Sequence, residues 1–139
     1  MITIVPTEYV HLEWNKVAPL IQKAIDITPG RIAASDIYIL LLAGEILLWE
    51  ITDKDNKVIA ALTSKVFDLP RGRICCAEWC GGSDMEDWID ELIVKIESYA
   101  KDMGCTIIEA HGRQGWKKKL EPHGWRQFQV SYEKHLKEQ

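Results

Sequence analysis

Two adjacent glycines just ahead of a helix are the first residues in this chain whose type and spacing could bind a ligand. The stretch WCGGSDMEDWIDEL spans residues 79–92, with Gly81 and Gly82 in the turn before the helix. Glycine allows close backbone approach, and the unpaired N–H groups at a helix N-terminus attract anions such as phosphate. The spacing therefore raises the question of whether this turn holds a phosphorylated cofactor.

The first two turns of the same helix are crowded with carboxylates, which oppose an anionic ligand. They are Asp84, Glu86, Asp87, Asp90 and Glu91. A carboxylate near the helix start is stabilised by the dipole by about 0.3–1 kcal/mol, and it repels a phosphate charge about 4 Å away by about 1 kcal/mol even in water. Ser83 and Glu86 also match a capping box, which would occupy N–H donors. We predict weak phosphate binding at this turn, or none.

The thiols and imidazoles could bind a metal or act in nucleophilic catalysis. The cysteines are Cys75, Cys76, Cys80 and Cys105, and no two of them form a CxxC pair. The four histidines are too scattered for a finger-like zinc site, so we expect no metal and predict ordinary thiols in a reducing cytoplasm. One alternative stays open, in which Cys76 or Cys80 is a nucleophile and His111 its base.

Length and composition predict one globular domain covering residues 1–139. The chain has 47% hydrophobic and 27% charged residues and a net charge of −4. An acidic chain is a poor partner for nucleic acid, whose binding depends on phosphate contacts. The longest apolar run, residues 37–42, is too short to span a membrane, and the N-terminus has no basic region typical of a signal peptide.

Hydrophobic periodicity predicts ten elements in the order β-α-α-β-β-β-α-β-α-β. The predicted strands cover residues 2–5, 45–52, 58–67, 74–80, 105–110 and 125–136. The predicted helices cover residues 10–25, 35–42, 84–103 and 115–122, the first with a break near Asn15 because Pro19 lies inside its pattern. This order predicts an α/β (α+β) fold with a mixed sheet.

The long helix 84–103 connects two strands in a βαβ crossover, so strands 74–80 and 105–110 should be parallel. Alternation along strand 74–80 predicts that Glu78 shares a side with Cys76 and Cys80, opposite Cys75.

The element order, together with the segment HGRQGWKKKLEPHGW at 111–125, resembles the acyl-CoA-dependent N-acyltransferase (GNAT) superfamily. The pattern R-x-G-W-x₃-L-x₃-G-W is also similar to small acyltransferase-like proteins encoded by tailed bacteriophages. The resemblance implies that strands 74–80 and 105–110 splay apart around the pantetheine arm of acetyl-CoA or CoA. It places the diphosphate on the backbone of Cys80, Gly81, Gly82 and Ser83, with Arg113 and Lys117 as further phosphate contacts.

The same resemblance assigns catalytic roles. It makes Glu78 the base that deprotonates an amine. The tyrosine that commonly protonates the leaving thiolate is replaced here by Leu120, so the acid would be Tyr132 or His123. In the phosphate turn, CGGSDMED departs from the family pattern Q/R-x-x-G-x-G/A.

Two functions follow from these observations. The first is a weakly active or non-catalytic relative, such as a phage assembly or virion component, that binds a protein or a second copy of itself. Its contact would be the old cofactor cleft or the open edge of the last strand, because the family commonly ends with two antiparallel strands and only one fits here. The second is an active N-acetyltransferase that moves an acetyl group from acetyl-CoA to an amine.

Overall fold

The computed structural model describes residues 1–137. Its strands are β1 (Ile2–Val5), β2 (Leu47–Thr52), β3 (Val58–Leu69), β4 (Gly72–Gly82) and β5 (Ile107–Ala110). Its helices are α1 (Val10–Ile25), α2 (Ala34–Leu42), α3 (Met85–Asp102) and the short α4 (Lys117–Leu120). Single 3-10 turns cover Thr7–Tyr9, Gln114–Trp116 and Glu121–His123.

The five strands form one mixed sheet in the order β1-β2-β3-β4-β5. Neighbouring strands are antiparallel except β4 and β5, which are parallel and joined by α3. The predicted fold class, a single-domain α+β fold with a parallel crossover, is therefore confirmed. No helix among residues 1–137 combines the length and the apolar character that crossing a lipid bilayer requires.

The sheet has a hydrophobic cluster on each face. On one face α3 buries Ile89, Leu92 and Ile96 against sheet residues that include Ile51 and Cys75. On the other face α1 and α2 form the second cluster, with Val17, Ile21, Ile37 and Leu41 packed around Leu48 and Ala61. The alternation of β-strand side chains supplies both clusters from the same strands.

Helix α1 is continuous, so the predicted break near Asn15 is wrong. Pro19 lies inside the helix, where it removes one backbone hydrogen bond. Val17 and Ile21 on either side of it are completely buried. Burial of this face holds the helix together despite the lost hydrogen bond.

The predicted last strand, 125–136, is also wrong. Residues 125–135 are irregular, and Phe128, Val130 and Tyr132 expose 57%, 61% and 92% of their surface. The tail is held instead by Arg31 in the α1–α2 connection, whose Nε donates to Glu133 Oε2 at 2.9 Å. An alternating pattern forms a strand only when it pairs with a neighbouring edge, and within the described residues the tail does not pair with the open edge of β5.

Glu50 on β2 is a buried carboxyl with a consequence for stability. It is 6% exposed, and its Oε2 has no hydrogen-bond partner within residues 1–137. Burial, with Glu13 beside it, raises the pKa of Glu50 to about 7 from 4.5. The folded state thus keeps a proton that the unfolded chain releases, so Glu50 lowers the free energy of unfolding as pH rises from about 4.5 through about 7.

Glu50→Gln is therefore expected to stabilise the protein at pH 8 by about 1–3 kcal/mol, because it removes the buried charge that Glu50 carries above pH 7, and to have little effect at pH 4.5. Urea unfolding at the two pH values measures this. The control, Glu8→Gln, replaces an exposed carboxylate. Equal effects of Glu50→Gln at both pH values would contradict the prediction.

Candidate functional site

A bulge in β4 reorganises the residues around the predicted site. Thr63 pairs with Glu78 and Ala61 with Gly81, so Leu62 faces both Trp79 and Cys80. Trp79 has a positive φ of 51°, which is compatible with an irregular position in a strand. The extra residue reverses the alternation: Trp79 packs against the α1/α2 cluster and Cys80 against the α3 cluster. The prediction that Cys80 shares a side with Cys76 and Glu78 is therefore wrong.

Strands β4 and β5 separate where the resemblance requires it. Their pairing runs from Ile74 and Ile107 to Ala77 and Ala110, and His111 N–H donates to the carbonyl of Ala77 at 3.1 Å. Beyond this point β4 continues to Gly82 without β5 beside it. Trp116, Leu120 and Cys80 pack against the α3 cluster next to this divergence, so apolar side chains occupy this part of the structure.

The fold itself uses the backbone groups of the predicted phosphate turn. Gly81 and Gly82 belong to the β3–β4 ladder, paired with Ala61 and Ala60. The N–H of Ser83 donates to the carbonyl of Ile59 at 3.0 Å. This N–H group is therefore not available to a diphosphate.

Packing explains both glycines without a ligand. A Cβ atom on Gly81 would lie 2.0 Å from the carbonyl oxygen of Leu20, because α1 rests directly on this part of β4. Gly82 has a φ of +152°, and a Cβ there would lie 2.4 Å from Ala60. Each site excludes a side chain for reasons internal to the fold.

The start of α3 differs from the predicted capping box. Asp84 is the N-cap residue, in the left-handed region at φ 58°, and no side chain caps the helix. Ser83 directly follows β4, and its carbonyl accepts a hydrogen bond from Trp88 Nε1 at 2.7 Å. Glu86 pairs with Lys119 rather than with a backbone N–H. The N–H groups of Met85 and Glu86 have no protein acceptor within the described residues.

Three polar contacts join one face of α3 to the segment 117–125. Lys119 pairs with Glu86, and His123 Nε2 lies 2.8 Å from Asp90 Oδ1. Further along, Trp125 Nε1 donates to Glu97 Oε2 at 3.0 Å. These contacts fix the segment against α3, and they give His123 a structural role outside the predicted chemistry.

Glu78 belongs to a polar cluster on the other side of the sheet. His111 Nδ1 lies 3.2 Å from Glu78 Oε2, and His111 Nε2 lies 3.0 Å from Glu109 Oε2. Cys76 Sγ is 3.8 Å from His111 Nε2, and Lys65 Nζ is 3.3 Å from Glu78 Oε1. The sequence suggested Glu78 as one base and His111 as the base for Cys76 or Cys80, whereas it gave no reason to single out Glu109 or Lys65.

A cavity of about 330 Å³ lies beside Glu78. Its lining residues are Ile32, Leu40, Glu45, Ile46, Lys65, Glu78 and Trp79. Two carboxylates and an indole favour a cationic amine, because the carboxylates attract its charge and an aromatic face favours a cation, whereas Lys65, which pairs with Glu78, opposes it.

The thiols are poorly suited to act as nucleophiles. Burial, followed by the charges of Glu78 and Glu109, raises the pKa of Cys76 to about 12. Burial likewise raises the pKa of Cys80 to about 12, although the nearby Arg113 guanidinium opposes this. A reactive cysteine needs a thiolate at neutral pH, so the raised pKa values of Cys76 and Cys80 argue against the cysteine nucleophile.

The other predicted site residues lie apart from Glu78. Arg113 is close enough to Cys80 to affect its pKa, which places its charge at the far side of β4. Lys117 lies 3.6 Å from Glu121, one helical turn along. Tyr132 is almost fully exposed in the irregular tail, and within residues 1–137 its hydroxyl has no hydrogen bond. The structure does not bring Tyr132 into the cluster around Glu78.

Comparison with solved structures shows the same fold in acetyltransferases. A probable acetyltransferase is 14% identical with a TM-score of 0.74, and the alignment covers 100% of this chain and 99% of that chain. A predicted acetyltransferase with acetyl-CoA from Clostridium acetobutylicum is 11% identical with a TM-score of 0.71, covering 98% and 96%. A GNAT family acetyltransferase from Staphylococcus aureus is 12% identical with a TM-score of 0.68, covering 98% of each chain. No family model and no curated protein matches the chain.

Proposed function

We propose that this chain, which has the fold of GNAT acetyltransferases, is a non-catalytic or weakly active relative that acts by binding protein. The observation that carries this proposal is the state of the turn at 80–83. The Ser83 N–H is bonded to Ile59, and Gly81 is packed against α1. A diphosphate would have to displace hydrogen bonds and packing that the fold already contains.

Charge supports the same conclusion. Asp84 and Asp87 are exposed beside the open N–H groups of Met85 and Glu86, so an incoming phosphate meets like charge there. Two of the nearby lysines are already paired with carboxylates, Lys119 with Glu86 and Lys117 with Glu121. The residues of this turn do not fit the diphosphate of CoA.

The partner that we propose is a second copy of this chain, joined through strand addition. Strand β5 pairs with β4 alone, so its other edge is open within the described residues, and Ile107 on it is 55% exposed. The tail carries exposed Phe128, Val130 and Tyr132 in the alternating order of a strand. A tail from another copy could pair with β5 and bury these side chains. The similarity of segment 111–125 to phage-encoded proteins suggests that the chain is a virion or assembly component. We place it in the cytoplasm, where the four free cysteines stay reduced.

Val130→Pro tests the assembly. Proline cannot donate a ladder hydrogen bond, so the variant is expected to be monomeric at concentrations where the natural chain is dimeric, as measured by light scattering after size exclusion. Val130→Thr is the matched control, because threonine keeps a high strand propensity. The proposal is contradicted if the natural chain stays monomeric at high concentration or if the Val130→Pro variant still dimerises.

The second candidate function is N-acetyl transfer to an amine, and the cavity beside Glu78 favours it. Glu78 lies at the wall of this cavity, where it could accept the proton of an ammonium group, and Glu45 adds a second negative charge. CoA or acetyl-CoA would then be the cofactor, with Arg113 and Lys117 as the cationic contacts. Acetyl-CoA binding separates the two candidates.

A further inference from the structure

Strands β4 and β5 place four polar side chains on one face of the sheet. Three of them could bind a metal ion, and the fourth could hydrogen-bond to one of those three. Cys76 on β4 pairs in register with Glu109 on β5. His111 follows Glu109 by two residues and Glu78 follows Cys76 by two residues, so alternation brings all four to the same side. The motifs are thus Cys-x-Glu on one strand and Glu-x-His on its parallel neighbour.

The distances in this group are within a few tenths of an ångström of those between ligands of a zinc-type ion. The ligand atoms of Cys76, Glu109 and His111 all lie within 4.8 Å of one another. In a tetrahedral site with Zn–S of about 2.3 Å and Zn–N and Zn–O of about 2.0 Å, neighbouring ligand atoms are roughly 3.3–3.6 Å apart. The observed separations are 3.8 Å from Cys76 Sγ to His111 Nε2 and 3.0 Å from His111 Nε2 to Glu109 Oε2.

We propose that Cys76, Glu109 and His111 form a binding site for a divalent transition metal of the zinc type, with a fourth position open to solvent or a ligand. A thiolate and an imidazole prefer such a metal over Mg²⁺ or Ca²⁺, which take oxygen ligands. Binding releases the Cys76 thiol proton to solvent and forms the S–metal bond in its place. The sequence argument expected no metal because it looked for CxxC pairs and missed ligands that only the strand register unites.

Glu78 supplies the outer contact that a metal-binding histidine commonly has. A neutral imidazole carries one N–H, so it can donate to Glu78 or to Glu109 but not to both. With a metal on Nε2, His111 donates Nδ1–H to Glu78 at the observed 3.2 Å, and the metal joins the ring to Glu109. Lys65 is the positive group that faces the cluster, and it pairs with Glu78 rather than with a ligand.

The site is accessible although Cys76 is buried. The side chain of His111 is 55% exposed and lies at the outer side of the group, where an ion can enter. The two carboxylates that surround the thiol attract a cation. This proposal does not depend on acetyl-CoA binding or on assembly through β5.

Co²⁺ titration of the purified full chain tests the site, because a thiolate ligand produces a near-ultraviolet charge-transfer band and tetrahedral geometry produces intense visible bands. We expect both at one Co²⁺ per chain, and their loss on addition of Zn²⁺. Cys76→Ser should abolish the charge-transfer band, and His111→Asn should weaken binding at least tenfold. Glu78→Gln should weaken it by about 10–100-fold through the outer contact while leaving the band in place.

Cys105→Ser and His11→Asn are the matched controls, because they remove a thiol and an exposed imidazole outside the cluster. They should leave the titration unchanged, and thermal unfolding without metal should show that every variant is folded. The proposal is overturned if millimolar Co²⁺ gives no thiolate band in the natural chain. It is equally overturned if folded Cys76→Ser keeps the band, or if Cys105→Ser loses it.

Discussion

Gly81→Ala is expected to destabilise the protein by about 3 kcal/mol, at the upper end of the usual penalty for overpacking. The new Cβ would lie 2.0 Å from the carbonyl oxygen of Leu20 and 3.5 Å from the N atom of Ala24. Both are backbone atoms of α1, so the clash cannot be relieved by rotating a side chain. Either α1 or β4 must move, which disturbs the buried contacts of Val17 and Ile21.

Thermal and urea unfolding measure this effect, with a loss of about 10 °C in Tm expected for a chain of this length. Gly115→Ala is the matched control, because nothing lies within 4 Å of a Cβ at that position. It should change stability by less than about 1 kcal/mol. If the Gly81→Ala and Gly115→Ala variants were equally stable, packing would not explain the glycine at position 81. A ligand-binding role for Gly81 would then have to be considered again.

The regular elements were predictable because their signals are local. The 3–4 spacing of apolar residues in α3 and the alternation in β2 and β3 lead directly to the observed helix and hairpin. The parallel pairing of β4 and β5 also followed, because a helix of that length between two strands makes a crossover. Chain order and local pattern were enough for the fold class.

The site was less predictable, because it depends on registers that no local pattern specifies. One inserted residue at Trp79 moves Cys80 to the face opposite Glu78. The pairing of Cys76 with Glu109 joins residues 33 positions apart, and only the ladder shows that they are neighbours. The predicted final strand, residues 125–136, is wrong for a related reason. Its side chains alternate as in a strand, but within the described residues no strand pairs with it.

Acetyl-CoA is expected to bind more weakly than about 1 mM, which means less than about 4 kcal/mol of binding free energy. Two obstacles act together at the turn. The Ser83 N–H is already bonded, and the charges of Asp84 and Asp87 oppose a diphosphate. Asp84→Asn with Asp87→Asn removes two charges worth about 1 kcal/mol each and should raise the affinity about tenfold or more. Asp102→Asn at the other end of α3 should leave the affinity unchanged.

The claim that the turn at 80–83 is closed by the protein's own hydrogen bonds and packing is tested most directly by calorimetric titration of the natural chain with acetyl-CoA. The account predicts no saturable heat at ligand concentrations up to about 1 mM. A micromolar Kd would contradict it and would favour N-acetyl transfer, with Glu78 as the base to test next.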